Sequence, residues 1–536
     1  MRLTRRFFLG GLSVAPLARA NYSAATGTPD QRRLMALQIR NNAATFENEL
    51  PLPDHPANGD EDRYTSHIAN FSKGLPHNAQ GEVDPQAYGA LAAALTSGQW
   101  SDFEAVPMGC PDPAQRRKFT NPESGAAFSL MGADSHHLSI PAAPRLDSAE
   151  QASEAVELYW KALARDVPFT RYDSDPITQA AAADLSKMTD FRGPKAGGKV
   201  TTSTLFRGVT PGDITGPFLS QFLLKPIAYG PQLIDQRVRT VAPEIDYLTD
   251  FASWLQIQNG FHPSVADQFS DNVLYIRNGR DLANWVHNDV LFQAGLNAIN
   301  VVLDGAGGKA PLNPGNPYVS SLTQDGFGTF GDPYIAALVP EVAALALKAV
   351  WFQKWYVHRR LRPEEYGGLV HNRVANKINY PLHADILNSD ALAAVSKKYN
   401  SYLLPQAFPE GSPLHPSYGA GHATVAGASV TILKAVFDES YVIPNPVVAS
   451  ADGLSLVPYT GPDADRLTVG GELNKLAANV AMGRNFGGIH WRTDYANSIL
   501  LGEEVAIRML MDLKLTYNEE FEGYTFTKFD GTRITV

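Results

Sequence analysis

His415-Pro-Ser-Tyr-Gly-Ala-Gly-His-Ala-Thr-Val-Ala-Gly-Ala-Ser-Val-Thr-Ile-Leu-Lys-Ala-Val-Phe437 is a glycine-punctuated turn that runs without a break into an apolar segment. The segment from Ala423 to Phe437 reads as a helix, and the Gly-Ala-Gly turn sits at its start. A glycine turn at a helix N-terminus exposes backbone N–H groups and the positive end of the helix dipole, a ready site for an anion. His422 stands at the mouth of that turn, where an imidazole can move protons near neutral pH.

Two further clusters flank this stretch. A helix expected from about Val339 to Leu361 ends in Trp351-Phe-Gln-Lys-Trp-Tyr-Val-His-Arg-Arg-Leu-Arg-Pro363. Helical spacing predicts that Trp351, Lys354 and His358 share a face, with Arg362 two turns beyond Lys354 and Pro363 stopping the helix. Two cations share a face comfortably only with something negative between them; a solvated basic patch with Arg359 and Arg360 is the plainer reading. The other cluster is Arg484-Asn-Phe-Gly-Gly-Ile-His490, followed by Asp494. An Asp four residues after a His can hold one ring nitrogen and leave the opposite nitrogen free to bind. Together the three clusters predict a cage for a phosphate-like oxyanion, built from Lys354, Arg362, Gly421, His422, Arg484 and His490.

Outward from the cage, the pattern is helical. Helices are expected over residues 149–165, 217–224, 244–258 and 281–303, then about 339–361, 423–437, 473–484 and 495–514. Strand-like runs are few and short, at 199–205 and 238–241. The stretch 304–333 is rich in Gly, Pro and Asn and reads as a long loop. The fold class is therefore all-α, a large helical domain built around two four-helix bundles with minor short β-hairpins. An N-terminal helical half spans 21–335, and a C-terminal half, 336–536, carries the site.

The composition fits a globular chain of 536 residues, 44% hydrophobic and 19% charged. A net charge of −10 disfavours nucleic acid as a partner. Any anion site must then be a local pocket set against an acidic average. One cysteine, Cys110, rules out an intramolecular disulfide framework. At the N-terminus, Thr4-Arg-Arg-Phe-Phe-Leu9, an apolar run and Ala18-Arg-Ala20 make a twin-arginine signal over residues 1–20, which predicts export and a periplasmic or secreted protein. No other stretch of about 18 apolar residues is expected, hence no membrane span after signal removal.

The three clusters resemble the type 2 phosphatidic-acid-phosphatase and vanadium-haloperoxidase superfamily. The spacing from Lys354 to Arg362 is similar to that of the algal and cyanobacterial bromoperoxidases. So are 75–84, 217–222, 277–282, His287-Asn-Asp289, 327–330, His415 ahead of His422, and Trp351 ahead of Lys354. The resemblance implies a vanadium-dependent haloperoxidase that oxidises bromide or iodide with hydrogen peroxide, for use on small organic acceptors. It implies vanadate as cofactor, with His490 ligating the metal, and Lys354, Arg362, Arg484 and the Gly421 amide holding the oxygens. His422 would be the acid–base residue, tuned by His415, and Lys354 would also act in catalysis. Asp494 and Trp351 would support the site from behind. The resemblance further implies a homo-oligomer, a dimer or higher, and a structural calcium in the 304–333 region. One departure stands out: Ala420 occupies the position of the family's Ser, so a hydroxyl donor is missing. Two alternatives remain at this level. One is an exported acid phosphatase using the same cage, and the other is a catalytically weak oxyanion-binding homologue permitted by Ala420.

Overall fold

The computed structural model describes residues 27–304 and 310–536. The twin-arginine signal lies outside the described residues. The chain is mostly helical, with four two-stranded antiparallel sheets as its only paired strands among the described residues. They pair Ile227–Tyr229 with Gln232–Ile234, Val238–Val241 with Phe269–Leu274, Val447–Ala449 with Leu456–Pro458, and Thr525–Thr527 with Arg533–Thr535.

The helix Gly421–Val436 is the axis of the fold, and every residue in it except His422 is buried. An all-round apolar helix must be covered on every side. Asp332–Phe352, Val469–Phe486 and Arg492–Lys514 pack against it, and Gln293–Asp304 adds a further contact. Small residues set how close two of these helices come. A Cβ on Gly427 would lie 2.3 Å from the Ile499 carbonyl oxygen, and one on Gly502 would lie 2.0 Å from that of Thr424. That close backbone crossing places the start of Gly421–Val436 beside the start of Arg492–Lys514. The largest core joins residues on both sides of position 335. Helix Ala149–Leu163, for example, packs on Asp390–Tyr399 and on Val469–Phe486.

Several expected helices are shorter than their apolar patterns. Residues 149–165 hold as Ala149–Leu163, whereas 217–224 keeps only the 3₁₀ turn Gln221–Leu223, and 244–258 is helical only from Phe251 to Gln258. The segment 281–303 is two helices, Gly279–Asn288 and Gln293–Asp304, interrupted around Asp289. Of the two strand candidates, 238–241 pairs as a strand, whereas 199–205 makes only an isolated bridge from Lys199 to Ala196.

The most consequential correction concerns the helix expected to run to Leu361. It is α-helical over Asp332–Phe352, widens into a π turn over Gln353–His358, and ends with Arg359 at φ 40°. Arg362 is the N-cap of a new helix, Pro363–Ala375, so Pro363 starts a helix instead of stopping one. The stretch Asp332–His358 is also apolar and long enough to cross a membrane, contrary to the expectation of no such stretch, and nearly half of its apolar window is buried. Between 310 and 331 the described residues form no helix or strand. No group of three or more His, Cys, Asp or Glu among the described residues could hold a metal ion, so the calcium expected there has no acidic cage.

Candidate active site

Lys354 sits in the π turn with its side chain fully buried. Its Nζ donates to the carbonyls of Pro416 and Ser417 at 2.8 and 3.1 Å. Arg362 reaches the same place from the next helix. Its Nε donates to the His415 carbonyl at 2.9 Å, Nη2 to His415 Nδ1 at 2.9 Å, and Nη1 stands 2.9 Å from the Ile489 carbonyl and 3.0 Å from His490 Nε2. The two cations therefore meet because the chain turns back at Arg359, not because they share a helical face. His358 takes no part: it packs edge-on against Tyr418, and burial, with His55 and Arg360 nearby, lowers its pKa to about 3. Nor do Arg359 and Arg360 form a solvated patch. Arg359 pairs with Glu61, and buried Arg360 pairs with Glu154 and Asp494.

His490 Nδ1 is 2.8 Å from Asp494 Oδ2, the geometry expected from their spacing. A carboxylate accepts only, so Nδ1 carries the hydrogen and the Nε2 lone pair turns to the cage, where it accepts from Arg362 Nη1. Burial, then Arg362 and Lys354, push the His490 pKa well down, which keeps the ring neutral. His415 is held the same way by burial, then by Lys354 and Arg362. It packs on the Trp351 ring at 4.9 Å and bonds to Arg362, so it supports that guanidinium; its contacts are not with His422. Trp351 lies under the Lys354 ammonium at 5.6 Å, and its own N–H donates to the Thr120 carbonyl at 3.0 Å.

Gly421 opens its helix, and a Cβ there would approach the Trp351 ring to 3.2 Å. Ala420 is the N-cap and makes no side-chain bond to the helix; its own N–H donates to Ser498 Oγ at 2.8 Å. Arg484 closes the site, with Nη1 on the Val286 carbonyl at 2.7 Å and Nε without a partner. His422 Nε2 is 2.8 Å from Asp289 Oδ1. Burial and then Arg484 lower the His422 pKa, with Asp289 opposing both. Spacing could not find Asp289, which lies 133 residues from His422. Arg360 and Ser417, which anchor Asp494, and Glu154, which holds Arg360, were equally out of reach. The one signal for Asp289 was its membership of the His287-Asn-Asp289 triplet.

The charge pattern defines what fits here. Most buried cations in this protein have a carboxylate: Lys73 has Glu364, Lys161 and Arg492 have Glu157, Arg165 has Asp246, and Lys475 has Glu472. Lys354, Arg362 and Arg484 make no ion pair within 4 Å among the described residues. Burial lowers all three, Lys354 well below its usual range, Arg362 to about 9 and Arg484 to about 10. Buried charge without a partner is costly, so three such groups around a histidine lone pair and a helix N-terminus are arranged for a multiply charged oxyanion with a metal centre. Vanadate matches this donor set.

Fold and site thus define a helical-bundle enzyme that works on a caged oxyanion. The profile described as the VCPO second helical-bundle domain matches residues 338–518. A vanadium-dependent bromoperoxidase from Corallina officinalis is 37% identical, with 97% of this chain and 98% of the relative covered. One from Ascophyllum nodosum is 38% identical over 88% of this chain and 86% of the relative. The homohexameric structure of a second vanadate-dependent bromoperoxidase from Ascophyllum nodosum superposes with a TM-score of 0.89 at 33% identity, covering 97% of this chain and 93% of the other. The chain belongs to the vanadium-dependent bromoperoxidase family.

Proposed function

We propose that this protein oxidises bromide or iodide with hydrogen peroxide, holding vanadate with His490 Nε2 on the metal and Lys354, Arg362, Arg484 and the Gly421 amide on its oxygens. The observation that carries this reading is the set of three buried cations lacking carboxylates, gathered around a histidine whose other nitrogen is held by Asp494. Bound vanadate supplies a Lewis acid that activates peroxide without changing oxidation state.

The chain's own groups do the rest. The cations neutralise oxyanion charge in a dry, preorganised site. Asp289 holds His422 Nε2–H, which leaves Nδ1 to accept a proton from incoming peroxide and return it to the departing oxygen. Lys354, fixed by the Pro416 and Ser417 carbonyls, would offer an N–H donor to an oxygen of the bound oxyanion. The net reaction is H2O2 + X⁻ + H⁺ → HOX + H2O, and the hypohalous acid halogenates small organic acceptors.

Export by the twin-arginine signal to the periplasm or beyond belongs to the same proposal, as does a homo-oligomer, supported by the hexameric relative. Replacing Arg5 and Arg6 by Lys and fractionating cells tests the export. Loading vanadate-free protein with orthovanadate, and following bromide oxidation beside aryl-phosphate hydrolysis, tests the chemistry. Vanadate-dependent bromination is expected; phosphate release with no vanadate-dependent bromination would overturn the proposal in favour of a phosphatase.

A further inference from the structure

Each turnover consumes one proton, and the cage is a poor place to find one. It is cationic, and burial keeps His415 and His490 neutral. Asp494, its nearest carboxylate, is taken up by His490, Trp491, Ser417 and Arg360. Of the other acidic groups acting on the cage, Glu364 and Glu365 stand by Arg362 and are taken up, Glu365 by the Arg362 and Ser72 N–H groups and Glu364 by Lys73, while Asp289 and Glu410 stabilise the charge of Arg484.

There a second imidazole stands. His287 closes the helix Gly279–Asn288, stacks on Phe408 at 3.8 Å, and has Nε2 2.7 Å from Glu410 Oε1. Its Nδ1 is 3.8 Å from Asp267 Oδ2, on the segment leading into Phe269–Leu274. Arg117 touches the Glu410 backbone from behind at 3.0 Å. Arg484, on Val469–Phe486, bonds the carbonyl of Val286, the residue before His287, and Asp289 follows His287 two residues on. The His287 and Glu410 side chains keep 21% and 24% of their surface exposed, against 13% for His422 and 1% for Asp289, so His287 is the more open of the two imidazoles. Four buried polar atoms of these residues have no partner: His287 Nδ1, Asp267 Oδ1, Asp289 Oδ2 and Arg484 Nε. Such atoms suit a short file of water.

We propose that His287, held between Glu410 and Asp267, is the solvent-side proton carrier that reloads the His422–Asp289 pair. It takes a proton from bulk solvent or buffer and passes it along the Asp267–Asp289 side to His422, which spends it as the hypohalous acid leaves, the step that peroxide's own protons do not cover. His287 acts through His422 and touches no reacting atom. The inference rests on the acid–base role proposed for His422.

The test uses the vanadate-loaded full-length protein and two variants, His287→Gln, which keeps a polar partner for Glu410, and His287→Ala. In dilute buffer near neutral pH, kcat of both is expected to fall about tenfold or more, within the range for a lost proton-transfer group. Added imidazole should restore most of it, and the loss should shrink at lower pH where protons are plentiful. Vanadate affinity by equilibrium dialysis should match the parent. An unchanged kcat, a loss that imidazole does not rescue, or a loss that tracks weakened vanadate binding would each overturn the relay. A parent without vanadate-dependent bromination would instead overturn the functional proposal beneath it.

Discussion

Asp494 Oδ2 lies 2.8 Å from His490 Nδ1, and the same carboxylate accepts the Trp491 backbone N–H at 3.0 Å, the Ser417 hydroxyl, and Arg360 at 2.9 Å. One side chain thus orients the metal-binding ring and locks the start of Arg492–Lys514 to the chain before Gly421. In Asp494→Asn the amide cannot accept on all these sides, and the His490 ring loses its fixed orientation. Vanadate affinity is expected to fall about 10–100-fold, the usual effect of removing such a partner. Asp494→Ala also removes one of two carboxylates from buried Arg360, and should cost roughly 3–5 kcal/mol of stability. Equilibrium dialysis and urea unfolding read the two effects separately, and an Asn variant with parental affinity contradicts the assignment.

Ala420 is the N-cap of Gly421–Val436 and, by the resemblance, stands where the family's Ser would donate to the oxyanion. In Ala420→Ser the new oxygen can accept from the first turn of the helix while its hydrogen points into the cage. The two roles use different parts of the hydroxyl and do not compete. Capping should add about 0.5–2 kcal/mol to stability. A charge-assisted bond worth about 1.5–3 kcal/mol should tighten vanadate by roughly ten-fold or more. Tighter binding without higher melting, or the reverse, would show that only one role is realised.

The cage was legible in sequence because its parts sit in short motifs: His490 and Asp494 one helical turn apart, Gly421 and His422 adjacent. What failed to show was how the pieces meet. The apolar run ending at Leu361 carries no glycine to announce the left-handed turn at Arg359, so Lys354 and Arg362 read as one helix. The helix over 281–303 hid the break that frees Asp289 because its apolar spacing continues on both sides. The resemblance gave His415 the tuning of His422; in the structure its ring bonds to Arg362. Long-range partners such as Arg360 and Glu154 have no local signature at all.

His77 ties acid stability to a half-buried ring. Its Nδ1 donates to the Leu75 carbonyl at 2.8 Å and its Nε2 lies 3.0 Å from Ser72 Oγ, while burial lowers its pKa from 6.5 to about 4. A depressed histidine contributes stability that is complete above 6.5 and lost as pH falls through the folded value. The interval from 6.5 to about 4 is worth roughly 3 kcal/mol. Unfolding free energy of the parent should therefore decline from pH 7 to pH 4. His77→Gln, less stable at pH 7, should decline by up to that much less. Parallel curves for the two proteins would remove His77 from the account.

Asp289 is the sharpest test of the acid–base assignment, because it works on His422 without touching the oxyanion. Its carboxylate opposes burial and Arg484, which both push the His422 pKa down. In Asp289→Asn the side chain keeps its size and an acceptor oxygen, yet the charge is gone and the amide can turn its N–H₂ toward the ring, favouring the wrong tautomer. The rate at saturating peroxide and halide is expected to drop about 10²–10⁴-fold. The pH-rate limb that belongs to His422 should move toward acid, since its pKa loses the one neighbour holding it up. Vanadate should bind as well as before or better, because Arg484 loses its nearest negative charge and the cage becomes more positive. A slow enzyme with an unmoved pH limb would mean that Asp289 only shapes the pocket. A fast enzyme would mean that His422 does not need it, and the proton chemistry would have to be assigned to another group.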